Sequence, residues 1–200
     1  MQLDTDLTGL VGITLAIVAL LAGIPRVQAL PLIRRAAVLG AAIVLVSIPL
    51  WGVSAAGFVR GMTGDLSIPT LVLLGLSLVR AFSKRVPVED RNRNALLRVI
   101  LIVAIVFYPI VLGIGMFDPY RLGYANIWFL LPLLALAVWS SLRFSTLLAW
   151  CIALAVAAWS AGWYESTNLW DYLLDPWLAI YACVAQGKFL LARWGRKTHA

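Results

Sequence analysis

The chain has 200 residues, of which 62% are hydrophobic and 12% charged, with a formal net charge of +7. A soluble domain carries about 25% charged residues, and here the charges fall into short clusters between long apolar runs. That pattern leaves no room for a separate soluble domain and predicts one all-α transmembrane domain over residues 1–200.

Seven apolar segments follow in chain order, at residues 7–24, 36–59, 67–82, 99–117, 127–142, 144–163 and 176–192. Each approaches the roughly 20 residues that a membrane-crossing helix needs. Barrel strands would alternate apolar and polar side chains over about 10 residues, whereas 15–21 and 41–46 are apolar on every face. The first segment is expected to be a retained helix, because residues 1–7 hold Asp4 and Asp6 and lack the positive start of a signal peptide.

Charge placement sets the predicted orientation. With seven crossings and the amino terminus outside, every basic residue except Arg60 and Arg121 falls on the inner side, and of the acids only Glu89 and Asp90 do. This is the positive-inside bias, and it accounts for the net charge without a nucleic-acid partner. The expected setting is the cytoplasmic (inner or plasma) membrane, with compact loops suggestive of a bacterial protein, and membrane lipids as neighbours.

The second segment carries Pro49 and the fourth Pro109, each removing a helical hydrogen bond. Pro69 and Pro132 lie in the outer turns of two short segments, 67–82 and 127–142, which reach only about 24 Å at about 1.5 Å per residue. This proline pattern predicts an outward-facing cavity lined by broken helix ends. The inner stretch 83–98 is predicted to be a solvated loop. Ala149, Ala153, Ala157 and Ala161 form a small-residue stripe expected to pack inside the bundle, as do Gly57 and Gly61.

Three outer connections hold the remaining polar chemistry. In the first, Asp65 or Ser67 is expected to cap the third helix, and Arg60 to pair with Asp65. In the second, Asp118 is expected to pair with Arg121. In the third, Glu165, Asn168, Asp171, Tyr172 and Asp175 recur at three- and four-residue steps opposite Leu169, Trp170, Leu173 and Leu174. That spacing predicts a short interfacial helix near 166–175, held down by its apolar side.

Absences narrow the chemistry. The single histidine is His199, in the basic tail, so histidine-ligated zinc or haem and Ser-His or Cys-His catalysis have no partner in the fold. Cys151 and Cys183 have no metal or redox spacing, and no ionisable residue sits mid-segment to relay protons. No cofactor or metal is expected. The candidate binding cluster is the outer rim: Arg60, Asp65, Asp118, Tyr120, Arg121, Glu165, Asn168, Asp171 and Asp175. The ordinary membrane interface favours the same residue types.

Three functions fit these residues. The first is a non-catalytic component or accessory subunit of an envelope system, working with another membrane protein. The second is a small permease or lipid-translocating protein. The third is an enzyme acting on a lipid-linked substrate, with Asp118, Glu165, Asp171 or Asp175 as acid–base groups and Arg60 or Arg121 gripping phosphate. The third requires the outer loops to converge; a fully packed apolar centre would count against the second.

Overall fold

The structure, a computed structural model, describes residues 2–50, 52–83 and 88–197. It is all-α apart from one minimal hairpin. The helices are α1 (Gln2–Ala22), α2 (Pro25–Gln28), α3 (Leu32–Ser47), α4 (Ala55–Thr63), α5 (Ile68–Phe82), α6 (Asp90–Val111), α7 (Ile127–Arg143), α8 (Thr146–Ser160), α9 (Leu169–Leu173) and α10 (Pro176–Lys197). A 3₁₀ turn covers Pro119–Gly123.

All seven apolar segments are largely helical, but one is cut. Pro49 ends α3 and opens a two-stranded antiparallel hairpin of β1 (Pro49–Leu50) and β2 (Val53–Ser54). Gly52, at φ 88°, takes the left-handed turn between them. The Ser54 hydroxyl then accepts from the Gly57 N–H at 3.0 Å and starts α4. Pro109 acts more gently: α6 passes through it and stops two residues later.

The stretch 83–98, expected to be a loop, departs from that expectation because α6 already begins at Asp90; residues 84–87 lie outside the described residues. Its residues 90–98 form the opening turns of that helix rather than loop, with Arg93 near Asp90 one turn away, at 3.9 Å.

Helix length bears on the membrane reading. Among the described residues, Asp90–Val111 is the one helix long and apolar enough to cross a membrane. Asp6–Ala22, Ile68–Phe82, Ile127–Arg143, Thr146–Ser160 and Pro176–Ala192 are apolar but span only 10–17 residues. The expected seven crossings therefore exceed what helix length supports. Side-chain caps from Asn126 and Ser145 open α7 and α8, which run 17 and 15 residues, short of about 20.

The central core joins α6, α8 and α10. Leu96, Leu97, Ile100, Ala104 and Phe107 pack against Leu147, Leu148, Cys151 and Ile152, with Leu178 and Ala182 closing the third side. On the other flank α1 packs against α3, α4 and α5. Large apolar side chains also face outward around the bundle, among them Leu20, Ile33, Leu45, Ile105, Leu134, Trp150 and Val184.

The alanine stripe does not pack as expected. Ala153, Ala157 and Ala161 are exposed, while the neighbouring face carrying Cys151, Ile152, Ala155 and Ala158 is buried. Gly57 does lie close to Leu10 of α1, whereas a side chain at Gly61 would meet open space. Cys151 is buried and Cys183 exposed, and neither is in a disulfide.

Replacing Leu97 with alanine should cost about 2–5 kcal/mol through the cavity left in the α6–α8–α10 core. The same change at outward-facing Ile105 should stay within about 0.5 kcal/mol. Equilibrium unfolding in mixed detergent micelles measures both, and equal losses would contradict this core.

Candidate functional site

At one end of the bundle the three long connections meet the start of α1. Arg60, in the last turn of α4, binds Asp65 through two nitrogens, with Nε–Oδ1 at 2.7 Å and Nη2–Oδ2 at 3.2 Å. Its Nη1 donates to Asp6 at 2.7 Å, and Glu165 stands 3.7 Å from Nη2. Hydrogen bonding to Asp65 raises the Arg60 pKa further, with burial opposing and Asp6 reinforcing the shift. Gly9 permits this arrangement, since a Cβ there would collide with the Arg60 guanidinium and the Asp65 carboxylate.

Below the clasp two tyrosines stack, their centroids 5.0 Å apart. Tyr164 donates its hydroxyl to the Leu66 carbonyl at 2.8 Å. The Tyr172 hydroxyl accepts from the Tyr164 N–H at 3.0 Å and donates to the Ser166 carbonyl at 3.0 Å. Burial raises the pKa of both phenols.

The middle connection is bound to α9. Asp171 accepts from the Tyr120 hydroxyl at 2.9 Å and from the Ser166 hydroxyl. The Asn168 amide donates to the Tyr120 carbonyl at 2.9 Å, and the Trp170 indole to the Pro119 carbonyl at 3.0 Å. The Trp170 ring lies between Phe107 and Phe129, at 4.3 and 4.5 Å. Gly123 is where this contact needs a bare backbone, because a Cβ would strike Asn168 and Trp170. Burial first, then the bond to Asp171, raises the Tyr120 pKa.

Asp175 is the most enclosed acid, at 4% exposure. Its Oδ2 accepts from the Ser67 N–H at 3.0 Å, the Ser67 hydroxyl at 2.7 Å and the Thr70 hydroxyl. Its Oδ1 accepts from the Leu178 N–H at 2.8 Å, opening α10.

The expected rim thus gathers in large part. Arg60, Asp65 and Glu165 share one cluster; Tyr120, Asn168 and Asp171 share another; Asp175 ties α5 to α10. Two expectations are corrected. Asp118 makes no ion pair with Arg121: its carboxylate caps the 3₁₀ turn by accepting from the Tyr120 N–H at 3.0 Å, while Arg121 is exposed. Neither Asp65 nor the Ser67 hydroxyl caps α5, since Arg60 takes the first and Asp175 the second.

The interfacial helix is likewise shorter and deeper than predicted. Only Leu169–Leu173 is helical, and Leu169, Tyr172 and Leu174 are buried among protein side chains. Asp6, Ser67, Thr70 and Ser166 complete the network although they stood outside the expected cluster. A hydroxyl that serves a distant carboxylate carries no local spacing signal.

Chemically, the arrangement fastens more than it offers. Asp65, Asp171 and Asp175 each accept from two or more donors, and Arg60 already faces three carboxylates. Among the described residues no three His, Cys, Asp or Glu side chains are placed to hold a metal ion.

A cleft lies elsewhere. It measures about 1170 Å³ and runs along α1, α5 and the start of α10, from Thr63 and Thr70 to Arg35 and Arg80. None of Pro49, Pro69, Pro109 and Pro132 lines it. No protein-family model matches the chain, and no curated protein or solved structure matches it either.

Replacing Asp175 with alanine would strand two buried N–H groups and should cost about 3 kcal/mol, read as a lowered melting temperature in detergent. An unchanged melt would refute its fastening role. Alkali should act in the same direction. Tyr120, Tyr164 and Tyr172 hold their protons more tightly folded than unfolded, so their contribution is complete below the ordinary phenol value of about 10. It then falls as pH rises through the folded values. Melts between about pH 8 and about pH 11 should show this loss, and Tyr164→Phe should flatten it.

Proposed function

We propose that the chain is a multi-pass component of a cytoplasmic membrane that carries no catalytic centre of its own. In this reading it serves as an accessory subunit beside another membrane protein. The observation that carries it is the state of the outer polar groups. The loops converge as an enzyme would need, yet Asp175 accepts on both carboxylate oxygens and Asp171 accepts two hydroxyls on Oδ2. Arg60, the expected phosphate grip, is neutralised by Asp65 and Asp6.

The membrane setting rests on the sequence pattern and on the outward-facing apolar side chains. A soluble protein rarely leaves contiguous apolar patches of more than a few hundred Å²; here such residues ring the bundle on α1, α3, α6, α7, α8 and α10. Trp128, Trp163 and Trp177 are exposed near the clasped end, where an interface favours tryptophan. Seven crossings, amino terminus out and carboxyl terminus in, suit the charge partition. Helices shorter than the bilayer core are accommodated by local thinning or association with neighbours.

The exposed alanine face of α8, Ala153, Ala157 and Ala161 beside Trp150 and Leu154, suits the accessory role, since small residues let a partner helix approach. The cleft favours a second reading, a lipid-translocating protein, because it leaves the centre beside α1 and α5 unfilled.

The test is labelling of single cysteines placed in a Cys151→Ala, Cys183→Ala background. A membrane-impermeant maleimide added to intact cells should label Thr167→Cys, and should label Ala29→Cys only after permeabilisation. Labelling of both from one side, or release of the protein by alkaline carbonate, would overturn the reading.

A further inference from the structure

The cleft beside α1 and α5 has apolar walls and two unlike ends. Ile13, Ile17 and Leu20 of α1 face Leu73 and Leu74 of α5, with Leu178 of α10 behind them. Its clasped end holds the hydroxyls of Thr63 and Thr70. The opposite end holds three guanidinium groups from three helices: Arg35 of α3, Arg80 of α5 and Arg93 of α6.

These arginines are short of acceptors. Among the described residues, Asp90 is the one carboxylate paired with any of them, 4.0 Å from Arg80 and 3.9 Å from Arg93. Arg35 donates to the carbonyls of Gln28, Leu30 and Ala81. The Nε atoms of Arg35 and Arg93 are buried with no hydrogen-bond partner among the described residues. A buried donor without an acceptor is unfavourable, and an anion entering the cleft would relieve it. Arg93 also lines a smaller recess together with Lys188, Asn94 and Asp90.

We propose that the cleft binds an anionic glycerophospholipid, its phosphate among Arg35, Arg80 and Arg93 and its acyl chains along α1 and α5. This rests on the membrane reading above and names the ligand for the cleft. A free anion would gain nothing from the apolar walls, and a neutral lipid would leave the arginines unmatched. From Thr70 to Ala81 the α5 wall is about 16 Å long at about 1.5 Å per residue, close to one leaflet of a roughly 30 Å hydrocarbon core. The basic end falls on the predicted inner side, where the cytoplasmic leaflet supplies anionic lipid.

The experiment is native mass spectrometry of the detergent-purified chain with equal dioleoylphosphatidylglycerol and dioleoylphosphatidylcholine. The wild type should retain one phosphatidylglycerol with about tenfold preference, and Arg80→Gln with Arg93→Gln should lower this below about twofold. Equal retention of the two lipids by the wild type would overturn the proposal without any variant. So would an unchanged preference in a double variant that melts like the wild type, or displacement of the lipid by excess inorganic phosphate. Carbonate extraction of the same membranes separates the two failures. A chain that stays in the membrane yet shows no anionic preference removes this inference alone, and one released by carbonate removes the membrane reading beneath it.

Discussion

The arrangement of the clasped end depends on one buried carboxylate. Asp175 lies where α9 gives way to α10, and a carboxyl group withdrawn from water must be matched by hydrogen-bond partners. Ser67, Thr70 and the Leu178 N–H supply them. Satisfying Asp175 therefore sets the start of α5 against the start of α10. The chain between Trp163 and Leu174 then folds into the space that remains. The Tyr164–Tyr172 stack, the Asp171 bonds and the Trp170 slot follow from that placement.

The two ends of the bundle consequently differ in kind. At one end donors and acceptors are matched: Arg60 has its carboxylates, and the loop carbonyls of Leu66, Pro119 and Tyr120 have Tyr164, Trp170 and Asn168. Such networks rigidify what they hold. At the other end, among the described residues, Arg35, Arg80 and Arg93 outnumber the carboxylate beside them, and two of their Nε atoms lack acceptors. Polar groups at the first end hold the protein to itself. Those at the second retain capacity for something outside the chain, and this contrast underlies the functional proposals.

Some features were legible in local sequence because their causes are local. Pro49 lacks the N–H that a continuing helix needs, and the second apolar segment breaks there. Arg60 and Asp65 are five residues apart across one turn, and they pair as expected. Asp118 and Arg121 look equally suited on paper, but Asp118 is a better acceptor for the N–H of its own 3₁₀ turn, so no pair forms. The 165–175 stretch has the spacing of an amphipathic helix. Spacing alone does not say whether the apolar side meets lipid or protein, and Asp175 and Asn168 draw it inward.

Composition and periodicity by themselves determined that the chain is helical, where its seven apolar stretches lie, and which end is basic. These properties belong to single segments: apolar run length, proline position and the sign of neighbouring charges. Only the tertiary structure decided which face of α8 is buried, that Ser67 and Thr70 serve Asp175, and that a cleft opens between α1 and α5. Those outcomes depend on which distant side chains meet, and a hydroxyl or an alanine carries no record of its partner in the residues beside it.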